Sequence, residues 1–208
     1  MTDSSQVQRI GIFGGSFDPI HHGHLIMAES FRESMHLDSV VFLPAYVSPF
    51  KTETTPTNDK HRVEMLQLAI CGNDSFRLDD REIQRGGVSY TVDSLRAMHA
   101  ELPAADFYML IGSDSLVGFD RWREPHAVLS LAHLVVAHRG GWGDPAWDDL
   151  ARVASPEQLS AVKSRILDVP QIEIASRDLR RRVREGRTIR YMVPAAVEAY
   201  IRQHRLWA

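Results

Sequence analysis

The stretch RIGIFGGSFDPIHHGHL, residues 9–25, joins a short apolar run to a loop that is rich in glycine and histidine. The apolar run ends at Phe13 and a helical pattern begins near Gly23, so the loop between them lies at the carboxyl end of a first strand. Ligands bind at that edge in open parallel sheets. Gly14 and Gly15 allow backbone N–H groups to approach a bulky anion, and the positive end of the following helix points the same way. The stretch therefore predicts a strand, a phosphate-binding loop and a helix.

Short apolar runs alternate with helical patterns along the next part of the chain. Runs rich in β-branched or aromatic residues predict buried strands at 10–13, 40–43, 107–111 and 134–137. Apolar residues at helical spacing predict helices at 25–35, 59–70 and 92–102. Strands that alternate with helices predict a parallel sheet in an α/β fold.

The C-terminal part has a different pattern. Residues 139–156 are rich in Gly, Pro, Trp and Asp, which is typical of surface loop. Residues 172–175 could form a last strand. Two helices are predicted after it, at 176–185, where Gly186 stops the helix, and at 194–204, with proline at the first turn.

Composition and charge limit the class of protein. The chain has 208 residues, enough for one large domain, and its net charge of −3 provides no overall positive field for nucleic acid. Its single cysteine, Cys71, excludes an internal disulfide and argues against a cysteine-based zinc site. The polar start MTDSSQVQR contains no signal region, and no apolar run reaches the roughly 18 residues of a membrane span. We therefore expect a soluble, cytoplasmic protein with no nucleic-acid or membrane partner.

The glycine-histidine loop lacks the two common phosphate-binding patterns, GxGxxG and GxxxxGK[ST]. His21 and His24 are three residues apart, so at the first turn of a helix they share a face. The helix dipole disfavours imidazolium there, and neutral rings could donate N–H groups to phosphate oxygens. Two alternatives stay open: a metal site with Asp18 as a carboxylate ligand, and a tight turn capped by histidines.

Several motifs of this chain resemble those of one enzyme family. GGSFDPIHHGHL resembles the HxGH signature of nucleotidyltransferases, which is related to the HIGH motif of class I aminoacyl-tRNA synthetases. That signature alone leaves several acceptor substrates open. Five further stretches are similar, in the same order, to elements of bacterial nicotinate-nucleotide adenylyltransferases: LPAYVSPFK (43–51), KHRVEML (60–66), SYTVDSL (89–95), LIGSDSLVGFDRW (110–122) and IASRDLRRRVREGRTIRYMVPAAVEAYI (174–201). The resemblance covers residues 10–201, and the order of the motifs is more specific than any one of them.

The resemblance implies a fold and a reaction. The fold would be α/β, with a Rossmann-like parallel sheet, helices on both faces and a helical C-terminal part. Residues 1–208 would form one nucleotidyltransferase domain, with its Rossmann-like core at about 8–140 and its helical part at about 172–208. The reaction would transfer AMP from ATP to nicotinate mononucleotide, giving deamido-NAD (nicotinate adenine dinucleotide) and pyrophosphate in NAD biosynthesis. Whether the chain forms a homo-oligomer stays open.

The implied reaction depends on positioning the two substrates and on stabilising the negative charge of their phosphates. The nucleophile is a phosphate monoester oxygen, which is already anionic at neutral pH, so no general base is required. Two anions must be aligned while charge on the ATP phosphates is stabilised. Mg²⁺ would be carried with ATP and held mainly by the triphosphate and water, and we predict no protein ligand for it.

The resemblance also implies roles for individual residues. The catalytic residues would be His21 and His24, against the ATP phosphates. The other ATP-binding residues would be Gly14, Gly15, Ser16, Phe17, Gly112, Asp114, Ser176 and Arg180. The mononucleotide-binding residues would be Lys51, Ser89, Tyr90, Thr91 and Trp122. By their residue types alone, Lys51 could be a surface lysine, the hydroxyls before the helix could be N-caps and Trp122 could be a core residue.

Two departures from the family pattern concern the proposed phosphate contacts. Phe50 stands where the family has histidine, which leaves the contribution of its loop open. Arg177 stands where the family has threonine, so a hydroxyl is lost and a charge gained. The basic run 177–187 fits a solvated helix face better than a nucleic-acid site, given the acidic net charge. Alternatives are a sibling enzyme that uses nicotinamide mononucleotide or phosphopantetheine, and a nucleotide-binding or metal-sensing regulatory module without turnover.

Overall fold

The computed structural model of the protein describes residues 7–49, 56–139, 145–170 and 172–208. Within these residues six strands form one sheet: β1 (Arg9–Gly15), β2 (Ser39–Pro44), β3 (Phe76–Leu78), β4 (Asp106–Gly112), β5 (His133–Arg139) and β6 (Ile166–Val169). Every neighbouring pair is parallel, in the order β3-β2-β1-β4-β5-β6. This is the strand order of doubly wound, dinucleotide-binding folds. The strands predicted at 10–13, 40–43, 107–111 and 134–137 are confirmed.

The described α-helices are α1 (His22–Ser34), α2 (Asp59–Ile70), α3 (Arg81–Arg85), α4 (Thr91–Glu101), α5 (Pro125–Leu131), α6 (Trp147–Ala151), α7 (Pro156–Lys163), α8 (Ser176–Arg184) and α9 (Ala195–Gln203). Two 3-10 helices, Ser113–Leu116 and Phe119–Arg121, follow β4. The helices predicted from periodicity are confirmed, with ends that differ by at most a few residues. In the part of the chain that the structure describes, no helix is long and apolar enough to cross a membrane.

One prediction for the C-terminal half is wrong, and another holds only in part. Residues 172–175 form no strand; the last described strand is β6, which pairs with β5, while Ile172 and Ile174 line a small cavity beside α1. The stretch predicted as loop at 139–156 contains the short helix α6, which the buried side chain of Leu150 anchors, whereas its residues 145–146 and 152–155 form loop and turns. Residues 140–144 of that stretch lie outside the described residues.

The helices cover both faces of the sheet, as expected. Successive strand residues point to opposite faces, which separates two apolar clusters. In one, β1 and β4 pack through residues such as Phe13 and Leu110 against α1, α2, α8 and α9. In the other, residues such as Ile12 and Met109 pack against α4, α5, α6 and α7. The C-terminal helices α8 and α9 therefore cover the same face as α1 and α2.

The chain changes direction across the sheet at β1. β1 lies between β2 and β4, with Phe13 opposite Phe42 on one side and Leu110 on the other. The connection after β1 leads to β2, whereas β4 begins the other half of the sheet. A crevice therefore opens at the carboxyl ends of β1 and β4, where ligands bind in folds of this kind.

Candidate functional site

A cavity of about 650 Å³ opens at the carboxyl ends of β1 and β4. This volume is typical of small-molecule sites. Its walls include most of the residues predicted to bind nucleotide: Gly14, Gly15, Ser16, Ser89, Tyr90, Thr91, Gly112, Asp114 and Trp122. Leu95 and Met98 of α4 also line it, so the cavity lies on the α4 face of the sheet.

The segment that leaves β1 forms one edge of this cavity. A Cβ on Gly14 would meet no protein atom within 4 Å, so the space beside this residue is open. A Cβ on Gly15 would lie 3.0 Å from the ring of Phe17. Phe17 has a φ of 46°, which is rare for a bulky residue and turns the loop sharply. Its side chain is buried against Phe13 and His24, so only its backbone could contact a nucleotide.

The two predicted catalytic histidines lie at the start of α1 and stack on each other. His21 is the residue before the helix, and its ring centroid is 3.6 Å from that of His24. The backbone N–H of His21 donates to Nδ1 of His24 at 3.3 Å. A neutral His24 ring that accepts at Nδ1 carries its proton on Nε2, which can donate. A Cβ on Gly23 would lie 3.1 Å from the His21 ring, so this glycine makes room for the stacked pair.

The histidines do not line the large cavity. They line the small cavity next to Ile172 and Ile174, and the His24 ring contacts Phe13 and Phe17 in the apolar cluster of the α1 face. The segment Gly14–Ser16 therefore lies between the large cavity on the α4 face and the histidine pair on the α1 face.

Ser176 and Arg180 of α8 contact the loop between β1 and α1 rather than the large cavity. The hydroxyl of Ser176 donates to the carbonyl oxygen of Pro19 at 2.9 Å. Arg180 donates to the carbonyl oxygen of Asp18 at 2.5 Å, and its guanidinium lies 3.6 Å from the Asp18 carboxylate. That carboxylate is buried and accepts from the N–H of Thr57 at 3.1 Å. Asp18 thus joins the loop between β1 and α1 to the segment before α2 and to α8.

The SYT turn and α4 form the opposite wall of the cavity. Tyr90 is the residue before α4 and gives the helix no side-chain cap, and the Ser89 hydroxyl accepts from the N–H of Tyr46 at 2.9 Å. The Ser89 N–H donates to the carbonyl of Val47 at 2.9 Å. The Ser89 hydroxyl therefore joins the turn to the segment after β2, and the N-terminus of α4 faces the cavity through Tyr90 and Thr91.

Asp114 and Trp122 line the cavity from the segment after β4. Asp114 is exposed, and a Cβ on Gly112 would collide with its Oδ1, so this glycine allows the carboxylate to lie over the end of the strand. The half-buried Trp122 ring packs on Phe119 with a centroid distance of 4.8 Å. Trp122 therefore has both a core contact and a place on the cavity wall.

Sequence reasoning assigned no role to Arg62, which holds the edge of the cavity. This arginine of α2 is completely buried and donates to the carbonyl oxygens of Ser16 and Ala45, each at 2.8 Å. It also donates to the carbonyl of Thr57 at 3.2 Å and pairs with Asp59. The available signal was a charged residue on the same helix face as the buried Leu66.

Sequence reasoning also missed Glu82 of α3, a buried acid on the cavity wall. The hydroxyl of Ser94 donates to it at 2.6 Å. Burial raises the pKa of the Glu82 carboxyl group, while hydrogen bonds from Ser94 and Ser89 and the nearby Arg85 oppose that increase. A charged residue shortly before the SYT turn was the only signal in the sequence.

Lys51 lies outside the described residues, and so does Phe50, the first departure from the family pattern. Arg177, the other departure, is exposed on α8. Among the side chains that the structure describes, no group of three or more His, Cys, Asp or Glu residues could hold a metal ion.

Comparisons with known proteins place this chain in a family. Residues 12–182 match the family described as cytidylyltransferase-like. A probable nicotinate-nucleotide adenylyltransferase of Thermomicrobium roseum is 46% identical over 203 residues, which cover 97% of this chain and 92% of the relative. One of Rhodopirellula baltica is 41% identical over 198 residues, with 95% and 92% covered.

A solved structure has the same fold. The nicotinic acid mononucleotide adenylyltransferase of Plasmodium falciparum, in complex with NaAD, superposes with a TM-score of 0.73 over 96% of this chain and 97% of that chain. Its sequence identity is 18%, so this likeness concerns the fold. Taken with the full-length relatives, the match shows that the chain belongs to the cytidylyltransferase-like family and, within it, to the nicotinate-nucleotide adenylyltransferases.

Proposed function

We propose that this protein transfers the AMP part of ATP to nicotinate mononucleotide, giving deamido-NAD and pyrophosphate. One observation carries the proposal: the glycine segment 14–16 lies between the large cavity and the histidine pair at the start of α1. A phosphate-binding segment in that place can hold the ATP phosphates between the histidine pair and the cavity in which the acceptor would bind. The relatives named as nicotinate-nucleotide adenylyltransferases support the choice of acceptor.

The ATP phosphates would bind along the segment 14–16 and the N-terminus of α1. The backbone N–H groups there and the positive end of the helix favour an anion. His21 and His24 would contact the phosphates, with Nε2 of His24 as a donor. Gly112 and Asp114 would bind the nucleoside, because a carboxylate accepts from ribose hydroxyls. Ser176 and Arg180 would act at the same phosphate loop, which they already contact.

The mononucleotide would occupy the cavity on the α4 face. Trp122 would stack on the pyridine ring, and the SYT turn, with Ser89, Tyr90 and Thr91, would receive its carboxylate at the N-terminus of α4. Lys51 would approach the substrate phosphate. An oxygen of the mononucleotide phosphate then forms a bond to the α-phosphorus of ATP, and the bond from that phosphorus to the bridging oxygen breaks. The electron pair leaves with pyrophosphate.

A divalent cation fits this chemistry, because cations neutralise phosphate oxygens in phosphoryl transfer. We propose Mg²⁺, carried with ATP and coordinated mainly by the triphosphate and water. The chain would contribute by holding the phosphates in place.

The proposal is tested by measuring pyrophosphate release from ATP with four acceptors: nicotinate mononucleotide, nicotinamide mononucleotide, phosphopantetheine and water alone. We expect release that depends on nicotinate mononucleotide, together with deamido-NAD as the dinucleotide product. Release with phosphopantetheine alone would assign the protein to a sibling activity. Binding of ATP without release in any reaction would favour a regulatory module.

The single-domain organisation over residues 1–208, the cytoplasmic location and the lack of nucleic-acid and membrane partners stay predictions from the sequence. Sedimentation of the purified protein, alone and with both substrates, measures its oligomeric state.

A further inference from the structure

An acid occupies an unexpected place on the wall of the mononucleotide cavity. Glu82 has only 5% of its surface exposed and lies on the wall that also includes Ser89 and Ser94. A buried carboxyl group costs free energy unless hydrogen bonds compensate it. The proposed reaction needs no general base, so its chemistry gives this acid no task.

The hydrogen bonds of Glu82 lead to the start of α4. Ser94, in the first turns of that helix, donates its hydroxyl proton to Oε1 of Glu82 at 2.6 Å. Ser89 lies close enough to the same carboxyl group to lower its pKa. The Ser89 oxygen accepts from the N–H of Tyr46 at 2.9 Å. Glu82 therefore holds Ser94 directly and lies beside Ser89, at the two ends of the SYT segment.

This arrangement connects three parts of the chain. Glu82 belongs to α3, Tyr46 to the segment after β2, and Ser89 and Ser94 to the turn and first part of α4. Arg85, also of α3, donates to the Ser94 oxygen at 3.3 Å, so the Ser94 hydroxyl is oriented from both sides. The direction of the α4 N-terminus relative to the cavity thus depends on the carboxyl group of Glu82.

We infer that Glu82 is a positioning residue for the acceptor substrate: it orients Ser94, and through it the first turns of α4, whose N-terminal backbone N–H groups receive the nicotinate carboxylate. The inference rests on the proposed function for the identity of the substrate. A neutral residue would serve less well, because hydrogen bonds to a charged acceptor are shorter and stronger.

Steady-state kinetics of Glu82→Gln tests the inference. The amide keeps the size of the side chain but replaces one acceptor oxygen by a donor. We expect KM for nicotinate mononucleotide to rise about 10-fold, the scale for weakening a hydrogen bond to a charged group, with KM for ATP within about twofold of wild type. Ser94→Ala, which removes the hydroxyl that donates to Glu82, should raise the same KM by about threefold.

Glu101→Gln is the matched control. Glu101 ends α4, and its mostly exposed side chain pairs with Arg81 at 2.8 Å, away from the cavity wall. This variant should keep both KM values. Thermal melting of all variants reports whether they fold. If Glu82→Gln does not fold, the KM of Ser94→Ala for nicotinate mononucleotide tests the inference instead.

The inference and the proposed function fail in different ways. Wild-type protein without activity toward nicotinate mononucleotide would overturn the proposed function. Active wild type with an unchanged acceptor KM in folded Glu82→Gln would overturn the inference alone. A parallel rise in both KM values would also overturn it, because a general loss of packing does not distinguish the two substrates.

Discussion

At the start of α1, one hydrogen bond determines which ring nitrogen of the proposed catalytic residue His24 can donate. The N–H of His21 donates to Nδ1 of His24, so a neutral His24 ring carries its proton on Nε2. The His24 ring stacks on that of His21 at the N-terminus of α1, where the helix dipole favours an anion. Nε2 as a donor is the arrangement expected for a group that stabilises charge on a phosphate.

His24→Ala should reduce kcat about 100-fold or more, because it removes a donor to charge that develops in the transition state. His22→Ala is the control, since the structure records a backbone hydrogen bond from His22 to Met192 and the motif leaves its side chain free to vary. Pyrophosphate release at saturating substrates measures both. Turnover of His24→Ala near that of the control would exclude the phosphate role.

Trp122→Ala should raise KM for nicotinate mononucleotide and leave KM for ATP nearly unchanged. Stacking on a base is worth about 1–3 kcal/mol, which corresponds to roughly 5- to 150-fold in binding. Trp122→Phe, which keeps an aromatic face on Phe119, should lose much less. An unchanged KM for nicotinate mononucleotide in a folded Trp122→Ala variant would exclude the stacking role, and the tryptophan would then serve only to pack on Phe119.

At the scale of elements, the orientation of helix ends and the ties between loops determine the site. The N-terminus of α4 faces the cavity without a side-chain cap from Tyr90. Asp93, one turn into the helix, lies 3.5 Å from Arg123, so its charge is partly compensated. The end of this helix therefore favours an anionic group of the substrate.

This orientation predicts a preference for nicotinate over nicotinamide mononucleotide. A carboxylate accepts from helix N–H groups with both oxygens, whereas an amide presents an NH₂ group to some of them. Each mismatched buried group costs about 1–3 kcal/mol, so two mismatches give about 100-fold or more in kcat/KM. Assays with both acceptors at saturating ATP measure the ratio. Equal values would show that α4 does not recognise the carboxylate.

Arg62 holds together the two loops that follow β1 and β2. Arg62→Met should lower the free energy of unfolding by about 3 kcal/mol, because it leaves the carbonyls of Ser16 and Ala45 and the Asp59 carboxylate without their buried partner. Arg96→Met is the control, since the pair of Arg96 with Glu124 is about half exposed. Urea unfolding compares the two. Equal losses would contradict a special role for the buried guanidinium.

At the scale of the whole molecule, hydrogen bonds connect the C-terminal part of the chain to the loop between β1 and α1. Thr57 is the common point: its N–H donates to Asp18, its carbonyl accepts from Arg62, and its hydroxyl accepts from Trp207 at 2.7 Å. On the surface between α2 and α9, the hydroxyl of Tyr200 donates to Glu64. Through Thr57, Trp207 thus supports the position of Asp18 in the loop between β1 and α1.

The Tyr200–Glu64 contact predicts a pH-dependent contribution to stability. The hydrogen bond from Tyr200, with Lys60, His61 and His204 nearby, holds the pKa of Glu64 below its ordinary value of 4.5. A lowered pKa stabilises the fold at neutral pH, and this contribution is lost as pH falls below 4.5 through the pKa of the folded state.

Tyr200→Phe should therefore be less stable than wild type at pH 7, and the difference should shrink in acid. Tyr191→Phe, at a side chain that is 86% exposed, is the control. Denaturant unfolding at several pH values measures the difference. Parallel pH profiles for wild type and Tyr200→Phe would show that Glu64 titrates without help from the tyrosine.

Much of the fold could be predicted because the local spacing of apolar residues indicates which side chains are buried. The apolar runs before Gly14 and Gly112 read correctly as strands, and the helical spacing of 59–70 matched α2. Elements that depend on their neighbours were not predicted. β3 has three residues and forms because β2 offers an edge, and 172–175 has a strand-like pattern but packs its isoleucines beside α1.

For this protein, the sequence by itself determined the strand–loop–helix start, the edge of the sheet where ligands bind and the residue types that face them, because these follow from local periodicity and from the order of motifs. Only the tertiary structure decided that Arg62 and Glu82 are buried. A charged residue has the same appearance in a sequence whether water or protein solvates it. The partners that make its burial affordable, such as the carbonyl of Ser16 or the hydroxyl of Ser94, come from distant segments that meet only in the folded chain.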